Sequence, residues 1–228
     1  MKRLFVHVPK NAGMSIRHGL AKDIVMAGPQ QHKSPEYTQA VHAHMQANNE
    51  HDGYEHARWR DLNEKAQSLD AFAIVRNPWA RVVSRYFYSQ MVAFSGRTGI
   101  HKDLIVYPDQ TFDNFLDERH RWGAEPYYWH RAIRGWCPAL DYVTDETGAM
   151  RCEILRCEHL AEDLKTYAGW TLPPTRRNVT PDWSGKRPFT EMYDAHSRKT
   201  VADWYEADIE TWGFAFATTA TKGTVAQR

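Results

Sequence analysis

The sequence predicts an α/β fold in three layers, a central, mainly parallel sheet flanked by helices. Three observations carry this expectation. Leu4, Phe5, Val6 and Val8 form a short run of bulky apolar residues, which suits a strand covered on both faces. Ala71-Phe72-Ala73-Ile74-Val75 is a second such run. Each passes through a few turn residues straight into apolar residues at helical spacing, the strand-to-helix junction of an α/β unit.

The bulk properties agree. A chain of 228 residues suits one domain with a real core. Aromatic residues make up 13% of it and nine are Trp, too many for a disordered chain. A formal net charge of +1 argues against a general nucleic-acid binder, yet leaves room for a local basic pocket.

The first element is Phe5-Val6-His7-Val8-Pro9-Lys10-Asn11-Ala12-Gly13-Met14-Ser15-Ile16. It reads as strand, tight turn and first helical turn. Pro9 ends the strand and Gly13 lets the backbone bend closely. Ile16, Leu20 and Ile24 recur at helical spacing, predicting one helix that Gly28-Pro29 breaks. A glycine-bearing turn feeding a helix presents backbone N–H groups to anions, and Lys10 adds a positive charge there. The construction reads as a phosphate cradle. It is not a Walker loop, which needs an earlier glycine and a Lys-Ser/Thr pair after the last one. Taken alone it is equally an ordinary strand–turn–helix with a solvated lysine.

Residues 28–68 are polar and hold His32, His42, His44, His51 and His56. A connection this long is functional or contains short helices of its own. Next comes Ala71 to Tyr86, which repeats the first construction. Its strand ends at Val75, Asn77 is a natural N-cap and Pro78 a natural first helical residue. Trp79, Val82, Val83, Tyr86 and Phe87 form one apolar helical face, with Ser84 on the more polar side. Two junctions, each carrying a cation (Lys10, Arg76), suit a ligand with two separated phosphates.

These two stretches resemble the sulfotransferases that use 3′-phosphoadenosine 5′-phosphosulfate, particularly the carbohydrate sulfotransferases and their soluble bacterial relatives. That family typically reads Pro-Lys-Thr-Ala-Gly-Thr-Ser at the first junction. It reads Val-Arg-Asn-Pro-(aromatic)-x-Arg-(apolar)-(apolar)-Ser at the second. This chain reads Pro9-Lys10-Asn11-Ala12-Gly13-Met14-Ser15 and Val75-Arg76-Asn77-Pro78-Trp79-Ala80-Arg81-Val82-Val83-Ser84. It departs at Asn11 and Met14, where the family prefers threonine, and Met14 has no hydroxyl to donate. The resemblance implies a phosphate-loop-like fold. It also implies a donor whose 5′-phosphosulfate lies on Pro9, Lys10, Asn11, Ala12, Gly13, Met14 and Ser15. The 3′-phosphate would lie on Arg76 and Ser84, and the product would be adenosine 3′,5′-bisphosphate. A basic loop at Lys186 and Arg187 corresponds to one that closes over the 3′-phosphate; read as charge alone, it is a solvated surface loop.

The remaining elements follow in order. Residues 93–110, with Gly96, Gly99 and Pro108, read as a loop. Phe112, Phe115 and Leu116 predict a short helix capped by Thr111 or Asp109. Residues 119–138 are dense in Arg, Trp, Tyr and His, either aromatic core or an acceptor platform. Leu140–Val143 and Met150–Leu155 read as strands joined by a turn at Asp145-Glu146-Thr147-Gly148. Glu158–Ala168 reads as a helix closed by Gly169; Arg156-Cys157-Glu158-His159-Leu160 also resembles a family stretch that leads a late helix. Met192–Trp212 reads as one C-terminal helix. The expected organisation is a single domain over 1–215, with 28–68 and 93–136 as variable acceptor-side segments and 216–228 as a flexible tail.

Transfer of a sulfuryl group needs positioning and stabilisation of spread negative charge. Lys10 suits the departing phosphate. The acceptor hydroxyl needs a base, and histidine titrates near neutrality. The family's base lies between the two junctions, which makes His56 the first candidate and His44 the second. No metal is required. A zinc group among His42, His44, His51 and His56 has no familiar spacing. The implied acceptor is hydroxylated, a saccharide or small molecule, without nucleic acid. Cys137, Cys152 and Cys157 are odd in number and lack a Cys-x-x-Cys pair, as expected of reduced thiols in a cytoplasmic protein. No apolar run approaches the ~20 residues of a membrane span, and no leader is expected before the first strand. A phosphate-loop nucleotide kinase, or a bisphosphate-binding module without turnover, are the competing readings.

Overall fold

Strand β1 (Arg3–Val6) shares the centre of the sheet with β3 (Ala71–Val75), flanked by β2 (Ile24–Met26) and β4 (Glu153–Arg156) in the order β2-β1-β3-β4. All pairings are parallel, with Arg3 opposite Ile24, Leu4 opposite Ala71 and Phe72 opposite Glu153 at the start of each. The computed structural model describes residues 2–36, 38–40, 43, 56–94, 111–122, 135–171 and 187–218.

Side chains of a strand alternate between faces, and here both faces are apolar. Leu4, Val6, Ala71, Ala73, Val75 and Ile154 enter one buried cluster, and Phe5, Phe72, Ile74 and Leu155 enter another. A sheet with two apolar faces must be covered on both. On the Phe5 side lie α1 (Gly13–Gly19) and α6 (Leu160–Ala168), through Ile16, Leu160, Leu164 and Tyr167. On the Leu4 side lie α3 (Pro78–Phe94), α4 (Phe112–Trp122), α5 (Ala139–Val143), α7 (Ala195–Trp204) and α8 (Glu206–Trp212). The short α2 (Glu64–Gln67) precedes β3. The expected three-layer α/β architecture is the one observed.

Several elements follow their local chemistry closely. The Asn77 Oδ1 accepts from the amides of Trp79 and Ala80 at 3.1 and 3.3 Å, capping α3 with Pro78 in its first position. Trp79, Val82, Val83, Tyr86 and Phe87 are all buried. The Thr111 hydroxyl accepts from the Asn114 amide at 3.2 Å and caps α4, while Asp109 lies outside the described residues. Gly169 closes α6 at φ 69°, which favours glycine.

Three expectations are corrected. Ile24 is not in the first helix but opens β2, because α1 stops at Gly19 and residues 21–23 turn the chain back to pair beside β1. Ile16, Leu20 and Ile24 do share one buried cluster, but from two elements. Leu140–Val143 is helical rather than extended. The buried Asp208 carboxylate accepts from the Ala139 and Leu140 amides at 2.8 and 2.9 Å, supplying the cap the local sequence lacks. Only a single antiparallel bridge, Thr144 to Met150, remains of the expected hairpin. The C-terminal helix is two helices. The first starts at a capping box of Asp194 and Ser197. The break falls at Tyr205, whose buried hydroxyl donates to the Trp136 carbonyl at 3.1 Å.

Candidate active site

In an open parallel sheet, ligands bind beyond the carboxyl ends of the strands where the chain order reverses. Here β1 runs to β2 on one side and β3 lies on the other, so the reversal falls between β1 and β3. Both predicted junctions leave the sheet at this place.

The first turn is built from an uncommon backbone. Lys10 and Ala12 have φ of 69° and 60°, with Asn11 between them on the negative side. Left-handed geometry is costly for residues with a Cβ, so something must impose it. Three long-range bonds do. The Arg81 Nε donates to the Pro9 carbonyl at 3.1 Å, Arg76 Nη1 to the Lys10 carbonyl at 3.1 Å, and Asn11 Nδ2 to the Ile74 carbonyl at 2.8 Å. Successive amides in such alternating geometry form a concavity for anions. Among the described residues no group accepts from the amides of Ala12, Gly13 or Met14, whereas the Ser15 amide donates to the Ala12 carbonyl at 3.0 Å. Gly13 has no positive φ; it is glycine for space, because a Cβ there would overlap the His7 imidazole. Pro9 is buried, and Met14 and Ser15 are half-buried.

His56 arrives at this turn from outside the sheet. The Ala27 amide bonds the Phe5 carbonyl at 2.9 Å, and the Ala57 amide bonds the Ala27 carbonyl at 3.1 Å. One backbone bond thus ties the chain at 56–57 to the residue that follows β2. Arg58 and Asp61 close the next turn with a two-bond ion pair at 2.7 and 3.0 Å. His56 Nδ1 lies 2.8 Å from the His7 carbonyl, and the two imidazole rings are 4.1 Å apart.

The second junction is equally tied. The Glu158 carboxylate accepts from the Asn77 amide at 3.0 Å. Asn77 Nδ2 donates to the carbonyls of Ala215 and Thr218 at 2.9 and 2.8 Å, so the chain after α8 returns to cover this corner. Arg81 is buried and also donates to the carbonyls of Cys137 and Gly135 at 3.0 and 3.4 Å. Lys10 Nζ lies 3.8 Å from the centre of the Tyr88 ring on α3, a cation–π contact. The geometry therefore brings Lys10, Arg76 and His56 to one corner of the sheet.

Residues 2–215 match the Sulfotransferase family. This chain belongs to that family. No curated protein and no solved structure shows a significant match to it.

Within this sulfotransferase the other predicted residues fall as follows. Ser84 is half-buried two turns into α3, and Arg187 is exposed just ahead of the turn at Phe189–Met192. His44 and Lys186 lie outside the described residues, as do His42 and His51. In the aromatic segment Trp136 is buried core, against Phe115 and Trp204, and Arg119 packs over Trp204. Trp136 is thus no acceptor platform; Tyr127, Tyr128 and Trp129 are outside the described residues. The sulfotransferase thiols are poor nucleophiles. Burial raises all three, that of Cys137 to about 11. Sequence reading missed His7, Tyr88 and the clamp by Arg81. His7 carried a usable signal, as the one polar residue inside the apolar run from Leu4 to Val8.

Proposed function

We propose that this sulfotransferase takes a sulfuryl group from 3′-phosphoadenosine 5′-phosphosulfate and places it on a hydroxyl of a saccharide or similar small acceptor. Residues 1–215 act as one domain in this reading. The observation that supports it is the bond from Arg76 Nη1 to the Lys10 backbone carbonyl, which ties the two junctions together.

The residues present fit a doubly phosphorylated adenosine. The turn offers three amides in an anion-binding backbone, and Lys10 and Arg76 supply charge. When bound, the donor supplies a sulfuryl group attached to a phosphate that can leave with its electron pair. The Ala12, Gly13 and Met14 amides and the Ser15 hydroxyl hold 5′-phosphate oxygens, within the cradle of Pro9 to Ser15. Lys10 neutralises the charge that grows on the departing phosphate. Arg76 and Ser84, with Lys186 and Arg187, hold the 3′-phosphate. His56 takes the proton of the acceptor hydroxyl, with His44 the alternative base; such a base typically contributes about 100- to 10,000-fold. Because the transition state spreads negative charge, most of the work is placement.

Calorimetric titration with adenosine 3′,5′-bisphosphate tests this reading. Binding is expected, and it weakens by about tenfold or more in Arg76→Ala and Lys10→Ala, the worth of one charge-assisted contact. Failure of the intact protein to bind the bisphosphate removes the reading. Binding without sulfate transfer to any of a panel of hydroxylated saccharides leaves only a binding module.

A further inference from the structure

We propose that His7 is the positioning residue that sets His56 to accept a proton on Nε2 and holds it at a fixed separation from the phosphate turn. The proposal rests on the reading of His56 as the base.

The first half follows from hydrogen-bond chemistry. His56 Nδ1 is 2.8 Å from the His7 carbonyl oxygen. A carbonyl only accepts, so Nδ1 carries the hydrogen. In a neutral imidazole the other nitrogen then holds the lone pair. Nε2 is therefore the basic atom. The acceptor's O–H bond breaks and an Nε2–H bond forms, while the oxygen keeps the electron pair that bonds to sulfur. The imidazolium that results still donates from Nδ1 to the same carbonyl.

The second half follows from packing. The His7 ring stacks on Phe5 at 5.5 Å and meets the His56 ring at 4.1 Å. It also fills the space where a Cβ of Gly13 would stand. His7 is buried, and close-packed interiors transmit displacement rather than absorb it. One residue thus touches the base twice and the phosphate turn once. A polar side chain that merely filled the core would need neither contact. Transfer in line demands a set distance between base and cradle, and a shift of ~1 Å costs about 100-fold.

His7→Ala keeps the carbonyl and removes the ring. Expected is a fall in kcat of about 100-fold, with bisphosphate affinity within about threefold of the parent. His7→Gln, which keeps a planar group of similar reach, recovers kcat to within about tenfold of the parent. Nitrogen-15 NMR of histidine-labelled protein is expected to show His56 protonated on Nδ1 and bare on Nε2, in the parent and equally in His7→Ala, which keeps the carbonyl. The proposal is overturned if parent His56 carries its proton on Nε2, or if His7→Ala keeps parental kcat. Should His7→Ala not fold, a folded His7→Gln with kcat down 100-fold or more overturns the spacer role as well. Unchanged turnover in His56→Ala is a different failure: it removes His56 as the base, while the tautomer still reports on the His7 carbonyl.

Discussion

The side-chain amide of Asn11 donates to the Ile74 carbonyl at 2.8 Å, joining the first turn to the strand that feeds the second junction. Asn11 is buried and stands where the family prefers threonine. Its long, planar amide reaches the strand end and holds Ala12 beside it in left-handed geometry. Asn11→Ala leaves a buried carbonyl without this donor. Expected is a loss of about 1–3 kcal/mol in urea unfolding, together with weaker bisphosphate binding because the turn is no longer tied.

Gly13→Ala tests the close approach of the turn to His7. The φ of Gly13 is not positive, so the strain comes from overlap with the buried imidazole. We expect destabilisation of about 1–3 kcal/mol by overpacking. The double variant Gly13→Ala/His7→Ala should be less destabilised than the sum of the singles, because the second change removes the obstacle. Additive losses in a thermal melt would mean that the two residues do not compete for space.

Arg81 joins three segments through the carbonyls of Pro9, Gly135 and Cys137. A lysine carries a point charge on a flexible stem and cannot span the same fork. Arg81→Lys is expected to cost about 2–4 kcal/mol and to loosen the first turn. Chemical denaturation and bisphosphate titration on the same sample would separate the two effects.

Asp208 gives a pH dependence of definite sign. Burial raises its carboxyl to about 6, while the nearby Arg81 and the amides of Ala139 and Leu140 pull the other way. A group raised on folding binds its proton more tightly in the native state. Its contribution is fully present below the unfolded value near 4 and is lost as pH rises through about 6. Stability should therefore fall across this window relative to Asp208→Asn, which has no such proton to lose. Parallel melting curves for the two proteins from acid to neutral pH would refute the assignment.

The chain after α8 holds the second junction from outside. Asn77 donates to Ala215 and Thr218, and Phe216 packs edge-on against Trp79 and Tyr193. Ending the chain after Gly213 removes all of these contacts; ending it after Thr218 keeps them. The first truncation is expected to lower the melting temperature and weaken bisphosphate binding by about tenfold, the second to do neither. Equal behaviour of the two would show that residues 214–218 do not support the junction.

Much of this was legible in the amino-acid order. The two apolar runs, Asn77-Pro78 at the head of α3, Thr111 before α4 and Gly169 after α6 act through neighbours a few residues away. Their consequences follow from side-chain alternation, caps and turns alone. Strands β1 and β3, the three layers and both strand-to-helix junctions could be read for that reason. Leu140–Val143 could not, because its cap comes from Asp208 on a distant helix. Ile24 misled because a strand and a helix placed it in the same cluster at an apparent helical interval. His7 meeting His56, Asn11 reaching Ile74 and Arg76 reaching Lys10 join residues 49, 63 and 66 positions apart. Such pairs depend on which strands become neighbours, a property of the whole chain's packing that no local pattern encodes.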